Sequence, residues 1–175
     1  MSFDLAIFHF FNNLAGQSRS LGQLIYFFAQ YFQYFVGGFF ILLLFISRDF
    51  IKRKSLAFGA AIFSIAISWG GITQIIRFFY DRPRPFSVYP IVHLFTNNVS
   101  SFPSGHAAFF FSLAMAVHFF SKRWGVVFFA SASLIVLARI AAGVHYPSDI
   151  LAGVVVGLFS AWLVNYFQKK FFTGS

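Results

Sequence analysis

Long uncharged apolar stretches alternate with short charged ones along this chain. No Asp, Glu, Lys or Arg occurs at 20–47, 55–76 or 150–168. Each stretch can hold one membrane-spanning helix, which needs about 20 apolar residues. A longer uncharged stretch covers 85–121, but its first half, SVYPIVHLFTNNVSSFPSGH, is rich in Pro, Asn and Ser. That punctuation predicts a loop, with the third spanning helix starting near Ser104 and ending near Phe120. A fourth is predicted over 126–142, with Arg139 near its far end, and a fifth over 147–167. Ahead of the first, MSFDLAIFHFFNNLAG has an apolar run of about ten residues broken by His9, too short to cross and read as an interfacial helix. It lacks a basic region followed by a small-residue cleavage site, so no cleaved signal peptide is expected.

Composition excludes the soluble alternative. Of 175 residues, 59% are hydrophobic and 10% charged, with 30 Phe against 13 Lys+Arg and 4 Asp+Glu. An ordinary soluble domain carries about 25% charged residues, so this chain cannot clothe a water-facing surface. The expectation is an all-α, polytopic membrane bundle of about five transmembrane helices plus the N-terminal interfacial helix, forming a single domain over 1–175. The net charge of +9 sits mostly in clusters between apolar runs, which suits anionic lipid headgroups and not nucleic acid. The absence of cysteine removes thiolate nucleophiles, disulfides and Cys-ligated metal sites.

Arg48, Lys52, Arg53 and Lys54, then Lys122 and Arg123, then Lys169 and Lys170, all fall on one side of a five-span topology. Taking that side as cytoplasmic puts the N-terminus outside and the C-terminus inside. The loop 80–102 and the turn at 143–146 then face outward. Most of the ionisable residues at outward helix ends are functional candidates, since such groups are costly near a bilayer unless they pair or line a polar cavity.

They fall into three corners. RFFYDRPRP, 77–85, carries Arg77, Asp81, Arg82 and Arg84, and its prolines end the second helix near Asp81 so that guanidinium forks can converge on one anion. Taken alone it fits an interfacial headgroup anchor as well. FPSGH, 102–106, places Ser104 to cap the third helix, Gly105 for close approach and His106 in the first turn, where backbone N–H groups face an incoming phosphate. ARIAAGVHYPSD, 138–149, holds Arg139, His145 and, four residues on, Asp149, whose carboxylate can orient the imidazole as nucleophile or base. Together these supply at least three guanidiniums, a helix N-terminus, two histidines and a carboxylate, an inventory for phosphoryl transfer. Few outer carboxylates among many arginines argue against a bound dication, so neither a metal nor another cofactor is expected. These considerations do not choose which histidine attacks. A transporter of anions or lipids, with a His–Asp proton relay, is the competing class.

The chain resembles the type 2 phosphatidic acid phosphatase family of membrane lipid phosphatases. That family's signature is Lys, six residues, Arg-Pro; then Pro-Ser-Gly-His; then Ser-Arg, five residues, His, three residues, Asp. All three motifs occur here in order and with intact spacing, except that Arg77 stands where the family has lysine and Ala138 where it has serine. The resemblance implies that His145 is the nucleophile forming a phosphohistidine, that Asp149 orients it, and that His106 protonates the leaving oxygen. It implies a phosphate held by Arg77, Arg84, Arg139, Ser104 and the Gly105 amide, with Asp81 and Arg82 available to a headgroup or second phosphate. The substrate it implies is an isoprenyl or glycerol lipid phosphate in a bacterial cytoplasmic membrane, with the site facing the periplasm or exterior. Small size and a bare five-span core resemble the undecaprenyl-diphosphate phosphatases; phosphatidylglycerophosphate or phosphatidic acid phosphatases and lipid phosphotransferases are the alternatives. Oligomeric state is not legible. Gly153 and Gly157 form a small-xxx-small pair suited to close helix packing.

Overall fold

A computed structural model describes residues 3–47 and 53–173. Every regular element among them is helical. Helix α1 spans Phe3–Gln17, α2 Arg19–Ile46, α3 Lys54–Phe79, the single-turn α4 Pro85–Val88, α5 Gly105–Phe120, α6 Lys122–Ala141 and α7 Pro147–Phe171. Of the first basic cluster, Arg48 and Lys52 lie outside the described residues.

Four helices, α2, α3, α6 and α7, are long and apolar enough to cross a membrane. The expected third span is shorter: α5 has 16 residues, about 24 Å against a hydrocarbon core of about 30 Å. Its position explains the difference. It packs against α7, α6 and α3, and nine of its residues, from Gly105 to Val117, are buried. A helix wrapped by protein has no need to match the bilayer along its whole length. The long helices instead expose Phe35, Phe45, Phe63, Leu151 and Val155, as a lipid-facing surface requires.

Glycines permit the tightest contact. A Cβ at Gly153 would stand 2.5 Å from the Ser104 carbonyl oxygen, and one at Gly157 2.6 Å from the Ala108 carbonyl oxygen. The α7 backbone therefore lies directly against α5, with hydrogen at these positions and nothing larger. The turn between α6 and α7 uses Gly143 at φ 81°, a conformation that side chains rarely adopt.

Helix α1 lies across the end of the bundle formed by the last turn of α6 and the first of α7. Its Phe8 is fully buried, packed in a cluster with Ala107, Val136, Ile140 and Ile150. Asn12 Nδ2 donates to the carbonyls of Val92, at 2.7 Å, and Ala141, at 3.0 Å. Three spans contain or run into π-helical stretches, Phe27–Tyr31 in α2, Ala66–Ile72 in α3 and Lys169–Thr173 at the end of α7. Such stretches leave carbonyls open to other donors, and Ala29 within the first accepts from Arg139 Nη1 at 2.9 Å.

Candidate active site

The end of the bundle capped by α1 collects the C-termini of α3 and α6 and the N-termini of α5 and α7. Three helix ends and the turn before α7 place Arg77, His106, Arg139 and His145 around one space, and the loop after α3 adds Arg84. Arg77 Nη2 donates to the Pro103 carbonyl at 2.9 Å, and a Cβ on Gly105 would meet the same nitrogen at 3.3 Å. Glycine at 105 thus lets both this guanidinium and the Trp69 indole lie against the start of α5. Ser104 is the N-cap of that helix, its Oγ accepting from Ala107 N. Its own N–H donates to the Asp149 carbonyl at 3.0 Å.

Arg84 is 4% exposed and Arg139 1%. Arg84 Nη1 donates to the Val144 carbonyl at 2.7 Å and stands 3.4 Å from His145 Nε2. Burial, with the Arg77 cation adding to it, lowers the Arg84 pKa to about 10. Arg139 keeps its Nε without a protein partner. Arg77, Arg84, Arg139 and His145 all lie within electrostatic range of His106. Cationic forks gathered at buried depth favour an anionic group at their centre.

His145 is buried in the turn ahead of α7. Burial, reinforced by Arg139 and Arg84 against the opposing pull of Asp149, lowers its pKa from 6.5 to about 3. The imidazole is therefore neutral, and in the tautomer that keeps its proton on Nδ1, toward Asp149, its Nε2 carries the lone pair a nucleophile requires. Nδ1 stands 3.5 Å from Asp149 Oδ2, the outer limit of a hydrogen bond, and has no closer partner. The carboxylate of Asp149, fully buried, accepts from Ser101 Oγ, from Tyr146 N at 2.9 Å and from Arg82 Nη1 at 2.6 Å.

Two sequence candidates stand apart from this centre. Asp81 is exposed, and Arg82 turns from it to ion pairs with Asp149 and, at 3.0 Å, Asp4. The loop path after Tyr80 carries the Arg82 side chain back over the bundle end. Sequence reasoning passed over Asp4, Ser101 and Ser148. Asp4 had one available signal, as one of only four acidic residues in the chain. Among the described residues no group of three or more His, Cys, Asp or Glu is placed to hold a metal ion.

An apolar cleft of about 390 Å³ reaches the site from the side, lined by Gln33, Tyr34 and Gly37 of α2, Trp69 of α3, and His106 and Phe109 of α5. Tyr34 and Trp69 are exposed on the surface that meets lipid. The cleft joins the hydrocarbon-facing side of the bundle to an imidazole of the polar centre.

Residues 57–173 match the family model described as the PAP2 superfamily. The bacitracin transport permease protein BcrC of Bacillus licheniformis is 31% identical over 93% of this chain and 79% of its own length. Undecaprenyl-diphosphatase BcrC of Bacillus subtilis is 31% identical over 55% of this chain, and the match spans about half, 51%, of that relative. Among solved structures, Aquifex aeolicus LpxE superposes with a TM-score of 0.78 at 26% identity, covering 95% of this chain and 96% of that one.

Proposed function

The chain belongs to the PAP2 superfamily and is a hydrolase of phosphate esters, and from that premise we propose that it dephosphorylates a membrane lipid through a phosphohistidine on His145, without a metal. The observation that carries this reading is the meeting of a neutral buried imidazole, buried guanidiniums and an apolar cleft that ends at His106.

The chemistry follows in two half-reactions. His145 Nε2 attacks phosphorus, the bond from phosphorus to the leaving oxygen breaks, and His106 gives that oxygen its proton. Water then attacks phosphorus as it gives a proton to His106, the bond from phosphorus to His145 Nε2 breaks, and inorganic phosphate departs with both histidines restored. Arg77, Arg84 and Arg139, with Ser104 and the Gly105 amide, hold the phosphoryl oxygens as charge develops. Asp149 steadies the imidazolium-like state of His145.

The preferred substrate is an isoprenyl diphosphate such as undecaprenyl diphosphate, taken at the outer face of a bacterial cytoplasmic membrane. Support comes from the relative named for that activity, from the basic clusters on the opposite side, and from the cleft, whose modest volume suits one hydrocarbon chain better than the paired chains of a glycerolipid. The test is kcat/KM in detergent with EDTA present, across isoprenyl diphosphates, phosphatidylglycerophosphate and phosphatidic acid. Preference for the diphosphate supports the substrate assignment. A glycerolipid preferred over it moves the assignment to that class, and no turnover on any of them defeats the enzymatic reading.

A further inference from the structure

Arg82 is shared between two carboxylates. Its Nη1 donates to Asp149 Oδ1 at 2.6 Å and to Ser148 Oγ at 2.7 Å, and its Nη2 donates to Asp4 Oδ2 at 3.0 Å. Asp4 closes the ring, accepting from Ser148 N at 2.9 Å and Ser148 Oγ at 2.6 Å. The guanidinium lies 4.0 Å above the Tyr146 ring, which fixes its plane. Its backbone is held as well, with Arg82 N donating to Ser100 Oγ at 3.1 Å and Ser101 N donating to the Arg82 carbonyl at 2.9 Å. Both terminal nitrogens of this side chain are thereby directed at α1 or the first turn of α7.

The consequence falls on Asp149. Its Oδ2 serves Ser101 and Tyr146, its Oδ1 serves Arg82, and the catalytic imidazole is left at 3.5 Å. The field that Asp149 exerts on His145 therefore depends on how much of its charge Arg82 neutralises, and that depends on how much of Arg82 is drawn off by Asp4. We propose that Arg82, aimed by Asp4 of α1, is a positioning residue that sets the orientation and effective charge of Asp149 toward His145. In this arrangement α1 is part of the catalytic apparatus, and Arg82 does not touch the substrate. The inference rests on His145 being the nucleophile of the proposed phosphatase.

The charged and titratable groups around His145 are Arg77 from α3, Arg82 and Arg84 from the loop after it, His106 from α5, Arg139 from α6 and Asp149 from α7, with Asp4 of α1 behind Arg82. In Arg82→Gln a cation disappears and Asp149 is free to turn to Nδ1; both changes favour the imidazolium. The His145 pKa, followed by NMR of histidine-labelled protein in detergent without substrate, is expected to rise by about one unit. For the lipid phosphate turned over best, kcat is expected to fall roughly 10- to 100-fold with KM within twofold. Arg82→Lys keeps a charge without the fork and should recover part of kcat. Asp4→Asn should lower kcat in the wild-type background and have a much smaller further effect in Arg82→Gln, where only its bonds to Ser148 remain.

A raised KM with kcat unchanged would make Arg82 a substrate contact and overturn the proposal, as would a His145 titration that Arg82→Gln leaves where it was. If Arg82→Gln does not give monodisperse protein, Arg82→Lys and Asp4→Asn carry the same kinetic comparison, and full activity in both overturns it. A wild-type protein without turnover would defeat the phosphatase reading, whereas the NMR arm would still report whether Arg82 governs the Asp149–His145 pair.

Discussion

The backbone N–H of Ser104 donates to the backbone carbonyl of Asp149 at 3.0 Å, which ties the N-cap of α5 to the first turn of α7 and joins two corners of the site through main chain alone. One turn further along α7, Gly153 makes that approach possible. A methyl there would stand 2.5 Å from the Ser104 carbonyl oxygen and 2.7 Å from Ala107 Cβ. Both are rigid helical neighbours, so the helices must part. Gly153→Ala is expected to cost about 1–3 kcal/mol, seen as a lowered Tm in detergent, and to reduce turnover with it. Gly59→Ala, where the added methyl meets nothing within 4 Å, should leave Tm unchanged or raised. Equal stability of the two variants would contradict the packing described.

The division of labour proposed for the histidines predicts different losses. His145→Gln should abolish turnover, and with it any base-stable, acid-labile phosphoryl adduct trapped by rapid alkaline quench from radiolabelled substrate. His106→Gln, which removes the proton donor of the first half-reaction and the acceptor of the second but leaves the nucleophile, should slow kcat about 10²- to 10⁴-fold. An adduct persisting in His145→Gln would move the nucleophile elsewhere.

Much of this arrangement was legible because charge is scarce in the chain. With only 4 acidic residues, each ionisable cluster between apolar runs marked a helix end, and Ser104 and Pro147 marked where α5 and α7 begin. The length of α5 was less visible, since a helix buried by protein and one buried by lipid have the same apolar composition. The π-helical stretches were invisible, as no residue type in FFAQY or AISWGGI demands them. Asp4 was missed for another reason. Its bonds to Ser148 cross 144 positions of chain, and nothing local to α1 indicates which helix end it will cap. The partner of Arg82 was obscured in the same way, because its place beside Asp81 grouped both for a headgroup or second phosphate where the loop instead delivers the guanidinium to Asp4 and Asp149.

Stability should fall on acidification, and part of the fall belongs to His145. Its folded pKa is about 3 against an ordinary 6.5, so between these values the unfolded chain takes up a proton that the folded one refuses. The unfolded state binds more protons, and stability therefore rises with pH across this window and is lost as pH drops through it. Thermal melts in detergent from pH 7 to pH 4 should show a declining Tm. His145→Gln, uncharged throughout, should decline less steeply over the same interval. Identical slopes would mean that the buried imidazole is not held neutral.

The cleft beside His106 makes the final prediction. Gly37 lines it, and a Cβ at this position meets nothing within 4 Å, so a larger side chain enters the opening without displacing protein. Gly37→Leu should fold with wild-type Tm while occupying space that the proximal part of a lipid tail would use. Its effect should depend on the substrate. For a long isoprenyl diphosphate kcat/KM is expected to fall about 10- to 200-fold, the range for misfit of a methylene-sized group in an apolar pocket. A short water-soluble phosphate ester, which needs only the polar centre, should be turned over at the wild-type rate. A uniform loss on both substrates would place the change in the catalytic groups, and no loss on either would send the tail along a different face of the bundle.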